Sequence, residues 1–423
     1  MSSSLDARTV AEAHSPGMAI QLRTRARRLT VLRAAALFDG TTTRLTANPV
    51  VIIDQGRIVA LQTAAETIPD GANVVDLTGA TLMPGLIDTH LHLCFDASDD
   101  PVAHLAAMDD DALRQHMATA ARRALSQGVT TVRDLGDRNY LALELRDRPS
   151  TSDPLPTIVA SGPPITRPGG HCHFLGGAAD GIDGARAAVR EHAERGVDVI
   201  KVMASGGNLT EGSAPHEPQF EMEFLTAVVE EAHRRNLPVT AHAHAAQSIT
   251  DAVAAGVDGI EHATFMTADG VDAPDHVIQS IVDRRIAIGS TVGREPGHGG
   301  SPPPAIASRM GDLIAVRRRL HRSGALVVAG SDAGVAPMKP HDVLRFAADD
   351  LVETGMNPVE ALWAMTSRAA HVCGLGHRKG RLAPGFDADI LAIDGNPLQD
   401  VAAIRRVRAV YAAGHLVAPS ACG

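Results

Sequence analysis

Eight short apolar segments alternate with helix-like ones, set between two terminal stretches of strand and turn. This pattern predicts an α/β chain: a (β/α)8 TIM barrel with a small discontinuous β-sandwich domain drawn from both termini. A doubly wound sheet would alternate in the same way, but it offers a glycine-rich turn after its first strand. Neither GxGxxG nor GxxxxGK[ST] occurs. The expected division is a polar, disordered leader over 1–27, the sandwich over 28–82 and 375–423, and the barrel over 83–374.

In the leader, Arg23, Arg25, Arg27 and Arg28 precede Leu29-Thr-Val-Leu32, a faint copy of a signal peptide's basic region. The apolar stretch is too short and is broken by Arg33, so secretion is rejected; Met18 is an alternative start. From Thr30 to about Val75, alternating residues and Asp-Gly or Gln-Gly breaks predict short antiparallel strands. Strand-like Phe386–Ile393 and Val407–Val417, set off by Pro384-Gly385 and Asn396-Pro397, mirror them at the other end. The barrel strands are read at Leu86–Leu93, Val129–Leu135, Thr157–Gly162, Val199–Ala204, Val239–Ala245, Gly259–Phe265, Ile286–Thr291 and Val327–Asp332. Helices are read at Ala112–Gln127, Ala185–Arg195, Glu221–Arg235, Ser248–Ala255 and Ala305–Ser323.

Composition narrows the function. The 423 residues carry 39 Lys+Arg against 49 Asp+Glu, a net charge of −10, which argues against a nucleic-acid or anionic-membrane partner. No run of about 18 apolar residues exists to span a bilayer. Cys94, Cys172, Cys373 and Cys422 are scattered without a CxxC pair, so a reducing, cytoplasmic setting is expected rather than a disulfide framework. Histidine stands out, with 20 copies against 1 Trp and 2 Tyr. Imidazole is the commonest metal ligand and titrates near neutrality.

The histidines gather at strand ends. Asp88-Thr-His90-Leu-His92 closes the first barrel strand; residues two apart share a face, so both rings point to the barrel mouth. His242 and His244 repeat the pattern on the fifth strand, Gly259-Ile-Glu-His262 lies on the sixth, and Gly330-Ser-Asp332 ends the eighth. Barrel active sites form at these C-terminal ends. Lys201, in Ile200-Lys-Val-Met203, would be costly inside an apolar strand unless paired or neutral. Either a loop carboxylate meets it, or the neutral amine takes up CO2 as an anionic carbamate able to bridge two cations.

Six segments resemble the metal-dependent amidohydrolase superfamily: Met83–His92, Ile200–Gly207, Ala241–His244, Gly259–His262, Gly330–Asp332 and Gly380–Asp389, in the expected order. The resemblance runs from about 30 to 417 and is strongest to the branch of Xaa-Pro dipeptidase-like and ochratoxinase-like amidases related to imidazolonepropionase. It implies two Zn2+ ions per chain, or other divalent ions, bridged by carboxylated Lys201. His90, His92, His242, His262 and Asp332 would complete the ligand set. Such ions acidify a shared water and polarise the scissile carbonyl. Asp332 would act as the catalytic base and later protonate the leaving nitrogen, and His244 would donate to the developing oxyanion.

Several loops are weighed as substrate contacts. His171 and His173, in Pro168-Gly-Gly-His-Cys-His-Phe174, either touch substrate or belong to a solvated turn. Gly206 and Gly207 offer backbone N–H groups for a carboxylate, and Arg294 and His298 offer charge after the seventh strand. Cys172, between two histidines, is not read as a metal ligand, and His321, His341, His371 and His377 are read as surface residues. The expected activity is hydrolysis of a C–N amide bond in an N-acyl amino acid or dipeptide-like substrate, by a homo-oligomer. The competing readings are a mononuclear cyclic-amide hydrolase or deaminase of the imidazolonepropionase type, which lacks a use for Lys201, and a metal-free scaffold.

Overall fold

The structure, a computed structural model, describes residues 29–63, 68–148, 154–297 and 302–417. The leader, Met18, His298 and Cys422 lie outside these residues.

The terminal segments form one mixed sheet. Its order is His415–Val417, Val407–Ala412, Ile390–Asp394, Asn73–Pro84, Thr30–Leu37, Pro49–Asp54, Arg57–Thr63, with Thr46–Ala47 added beside Thr30–Leu37. All neighbours are antiparallel except Thr30–Leu37 and Asn73–Pro84. The sheet curls over one core containing Leu32, Val51, Ile58 and Leu82 from one half and Ile390, Ala392 and Tyr411 from the other. The two layers of the expected sandwich are therefore halves of a continuous sheet. Its hairpin at Asp54-Gln55-Gly56-Arg57 has φ of 47° and 78° at the two central residues, the backbone that matches strand twist and that the Gln-Gly break signals.

The barrel strands are β1 (Leu86–Leu91), β2 (Val129–Asp134), β3 (Thr157–Ala160), β4 (Ile200–Met203), β5 (Val239–Ala245), β6 (Gly259–Met266), β7 (Ala287–Thr291) and β8 (Leu326–Gly330). They pair in parallel as β1–β2–β3 and β4 through β8. Two seams close the ring. Ile165, just after β3, bridges Val202 of β4, and Leu91 of β1 bridges Ala333 just after β8. The second seam is sealed by Asp332 N–H to His90 O at 2.7 Å and His92 N–H to Ala333 O at 3.0 Å. Nearly every barrel-strand residue is buried, which explains the continuous apolar runs of the sequence.

The helices cover this ring. Met222–Arg234 shows the logic: Leu225, Val228, Val229 and Ala232 fall on one face and bury it against the strands. Asp109 caps Asp110–Ser126 through Ala112 N–H at 2.8 Å. The single helix expected over Ala305–Ser323 is two, Pro304–Ala307 and Met310–Arg322, because Arg309 leaves helical geometry at φ −113° to start the second. Among the described residues no helix is long and apolar enough to cross a membrane.

Candidate active site

The C-terminal strand ends bring together the residues that the sequence singles out. His90 in β1 and His92 just after it meet Asp332 after β8, with their Nε2 atoms 3.5 and 3.6 Å from its Oδ1. His242 and His244 from β5 and His262 from β6 form a second group, and the ligand atoms within each group lie within 4.8 Å of one another. The groups adjoin, with 5.2 Å between the ring centroids of His90 and His262. Lys201 lines the same cavity of about 300 Å³.

Left-handed residues in β6 and just after β8 make this convergence. In a regular strand Glu261 and His262 would face opposite ways. Here His262 takes φ 71° and Ala263 φ 48°, so the pleat breaks and both side chains reach the interior. Asp332 takes φ 58°, a conformation that aspartate tolerates better than most residues.

Hydrogen bonds to acceptor-only groups fix the tautomers of the rings. His90 Nδ1 donates to Glu261 Oε2 at 3.0 Å, His92 Nδ1 to Gly136 O at 3.1 Å and His242 Nε2 to Gly206 O at 3.0 Å. Thr264 Oγ1 donates to His244 O at 3.2 Å, so it accepts from His244 Nδ1 at 2.9 Å. Each neutral ring thus turns a lone pair toward the cavity, the orientation a metal requires. Burial holds His92 and His171 at about 3 and, against the opposing charge of Asp332, His244 at about 4, so these rings are neutral at ordinary pH.

Lys201 is 1% exposed, and its Nζ has no hydrogen-bond partner. Burial pulls its ammonium down to about 8 despite the opposing fields of Glu261 and Asp332. Among the described residues no loop carboxylate pairs with it, which argues against that reading of its cost. For Asp332, burial raises the carboxyl, but His90, His92, Lys339 and Lys201 outweigh it and keep the group anionic.

Behind the floor lies a network that the sequence reading did not pick out. Glu261 Oε1 accepts from Arg133 Nη2 at 2.9 Å and Thr240 Oγ1 at 2.7 Å, while Oε2 holds His90. Arg133 Nε donates to Thr89 O at 2.6 Å. Burial would raise the Glu261 carboxyl, but Arg133 and His90 overcome it and hold the group well below the usual carboxylate range. Charged residues inside apolar strands, Arg133 on β2 and Glu261 on β6, were the available signal.

Other expectations need correction. Gly206 N–H donates to Glu217 O at 2.9 Å and Gly207 N–H to Ser213 Oγ at 3.1 Å, so neither is free for a substrate carboxylate. Gly207 instead makes room for His171: a Cβ there would lie 2.3 Å from the ring's Nε2. His173 is exposed, bonds Gly170 O at 3.0 Å and does not line the cavity. His171 and Arg294 do line it, His171 buried and Arg294 exposed at the rim. With its lone pair inward, His244 suits a ligand or proton acceptor rather than an oxyanion donor. Cys172 lines the cavity too, and burial pushes its thiol up to about 12, which leaves it protonated. His341 is buried rather than on the surface, with Nε2 donating to His92 O at 3.0 Å.

Comparisons with known proteins place the chain among relatives. The sequence profile of the "Amidohydrolase family" matches residues 81–417. Ochratoxinase of Aspergillus niger is 28% identical over 424 residues, covering 90% of this chain and 85% of that protein. Imidazolonepropionase of Deinococcus deserti is 26% identical over 393 residues, covering 84% and 89%. A Xaa-Pro dipeptidase with bound methionine in the active site superposes with a TM-score of 0.82 at 26% identity, covering 92% of this chain and 99% of that one. The A. niger ochratoxinase structure gives 0.78 at 25% identity, covering 94% and 97%. A barrel closed at its first and eighth strands, two adjoining groups of side chains that could hold a metal at the strand ends and a family match over most of the length make this chain a member of the amidohydrolase family, a hydrolase of carbon–nitrogen bonds.

Proposed function

We propose that the protein is a zinc-dependent amidase that cleaves the amide bond of an N-acyl or peptidyl amino acid. The observation that carries this reading is the buried, unpartnered Nζ of Lys201 beside two three-residue ligand groups. The donor set fits two divalent ions: His90, His92 and Asp332 would hold one, His242 and His262, with His244, the other, and Lys201 as a carbamate would link them. Such ions, when bound, acidify water and polarise a carbonyl. Carbamate formation needs the neutral amine, which burial favours here; it adds CO2 to Nζ and releases one proton.

The chain's own residues supply the rest. Asp332 accepts the proton of the attacking water and returns it to the leaving nitrogen. Glu261 and Arg133 hold His90 in one tautomer and orientation. Leu209, Ile306, Met310, Leu313 and Met338 form an apolar wall suited to an acyl group, and no Phe, Tyr or Trp lines the cavity among the described residues. Among similar structures, a Xaa-Pro dipeptidase holds methionine and a prolidase is complexed with N-methylphosphonate-L-proline, which supports an amino-acid leaving group.

The test replaces Lys201 with Ala, counts metal per chain and assays a panel of N-acyl amino acids and dipeptides with zinc and bicarbonate supplied. We expect about two ions and one added CO2 in the wild type, loss of activity and of part of the metal in the variant, and partial rescue by a short carboxylic acid. A fully active Lys201→Ala enzyme would refute the reading. One ion per chain with turnover of a neutral cyclic amide would replace it with the imidazolonepropionase-type alternative.

A further inference from the structure

The cavity wall carries more positive charge than the metal-ligand groups use. Besides Lys201, three basic side chains line it: Arg294, Arg317 and Lys339. Arg317 is engaged, with Nη2 donating to Thr291 O at 3.4 Å and Asp350 and Glu353 as its acidic neighbours. Arg294 stands exposed at the rim. Lys339 differs from both. It is half-buried, and its ammonium has neither a hydrogen bond nor an ion pair among the described residues.

Its position is built rather than accidental. The loop after β8 doubles back, with Gly334 N–H donating to Lys339 O and Lys339 N–H to Ala336 O, both at 2.8 Å. Gly334 follows Asp332 by two residues, so this turn returns Lys339 to the strand end that carries the catalytic carboxylate. The next residues are pinned from the other side by His341 Nε2 on His92 O. The charged groups acting on Lys339 are Asp332 first, then Asp350, Arg317 and Asp88. A buried or half-buried ammonium without a partner is costly, and a ligand that pairs with it recovers that cost.

We propose that Lys339 seats the α-carboxylate of the leaving amino acid and so sets specificity for free-acid over C-terminally blocked substrates. The inference rests on the amidase reading and deepens it. Asp332 must reach the leaving nitrogen to protonate it, and in an amino acid the carboxylate carbon is two bonds from that nitrogen, about 2.5 Å away. A carboxylate group therefore has to lie close to Asp332, where its own negative charge would be repelled. Lys339 supplies the cation that offsets this repulsion, on a four-carbon stem long enough to follow side-chain size. The acyl portion then points away, toward the apolar wall.

The test uses metal-loaded wild type, Lys339→Met and Lys339→Arg with N-acetyl-leucine, N-acetyl-methionine and N-acetyl-phenylalanine and their C-terminal primary amides. Binding is measured by calorimetry and hydrolysis separately, with melting curves and metal content to establish folding. We expect wild type to favour the acid over the amide by at least about tenfold in affinity and in kcat/KM, a charge-assisted contact typically contributing about ten- to hundredfold. In Lys339→Met the acid-to-amide ratio should fall to about one, and in Lys339→Arg most of it should survive. A ratio unchanged in Lys339→Met, or acid and amide weakened equally, would overturn the carboxylate seat while leaving the amidase reading intact. Acids that bind through Lys339 but are never cleaved would overturn the amidase reading alone. Acids neither bound nor cleaved would overturn both.

Discussion

Gly289 of β7 sits directly across from Glu261 of β6 in the strand register, and its φ lies outside the left-handed region, so alanine meets no backbone penalty there. The conflict is purely spatial. A Cβ at 289 would lie 1.9 Å from Glu261 Oε2 and 2.7 Å from its Cδ. Restoring ordinary contact at 3.4 Å requires the carboxylate to move by about 1.5 Å, which takes Oε2 out of hydrogen-bond reach of His90 Nδ1, now 3.0 Å away. The backbone of β7 is hydrogen-bonded on both sides and cannot yield instead. Overpacking and the loss of one charge-assisted hydrogen bond together should cost about 2–4 kcal/mol. His90, freed of its tautomer lock, should lower metal affinity by about 10–100-fold. The assay is competition against a chelator of known affinity on Gly289→Ala, beside Gly311→Ala as control. Gly311 opens a surface helix and a Cβ there meets nothing within 4 Å, so that variant should match or slightly exceed wild type. Wild-type metal affinity and an unshifted melt in Gly289→Ala would refute the claim that Glu261 positions His90.

Two further outcomes follow from the same geometry. Asp332→Asn should retain most of its metal, since histidines and Lys201 remain, while kcat falls about 10²–10⁴-fold for want of the proton shuttle; substantial turnover would pass the role of base to His244, whose lone pair faces the cavity. The metal-free protein should gain stability as pH rises from about 4 to 6.5. Seven imidazoles (His90, His92, His171, His242, His244, His262 and His341) are depressed chiefly by burial, His341 to about 4, so below pH 6.5 the unfolded chain takes up protons that the fold refuses. Asp88 at about 6, Asp134 at about 7 and Asp137, all raised by burial, act in the opposite sense but are outnumbered. A melting temperature that stays flat or falls across that range would contradict this account.

The sequence revealed what depends on period and spacing. All eight barrel strands sit where apolar runs predicted them, because both faces of a parallel strand are buried and the run is unbroken. The candidate ligand residues were legible because His-X-His in a strand places both rings on one face. Glu261 was hidden by its neighbour: alternation assigns it the face opposite His262, and only the left-handed φ of His262 brings both inside. His173 misled for the complementary reason. It sits two residues from His171, but Cys172 at φ 56° starts a 3-10 turn that carries it out of the cavity. His341 and Lys339 belong to a loop whose return path is set by hydrogen bonds to β1 and Gly334, contacts that no local pattern encodes.

The strand Asn73–Pro84 joins the curled sheet to β1 with Gly85 alone between them, and its partner on one side, Ile390–Asp394, arrives about 300 residues later. During synthesis at about 5–20 residues per second, that edge waits roughly 15–60 s before its partner emerges. Throughout that interval an unpaired, mostly apolar strand edge lies next to the segment that carries His90 and His92. Barrel closure through Leu91 and Ala333 also waits for the last strand. The nascent chain therefore passes through a long stage in which part of its candidate ligand set exists without the rest, and in which strand addition by another chain competes with the correct partner. Expression yield should consequently respond to translation rate and chaperone supply far more than the stability of the finished enzyme would suggest.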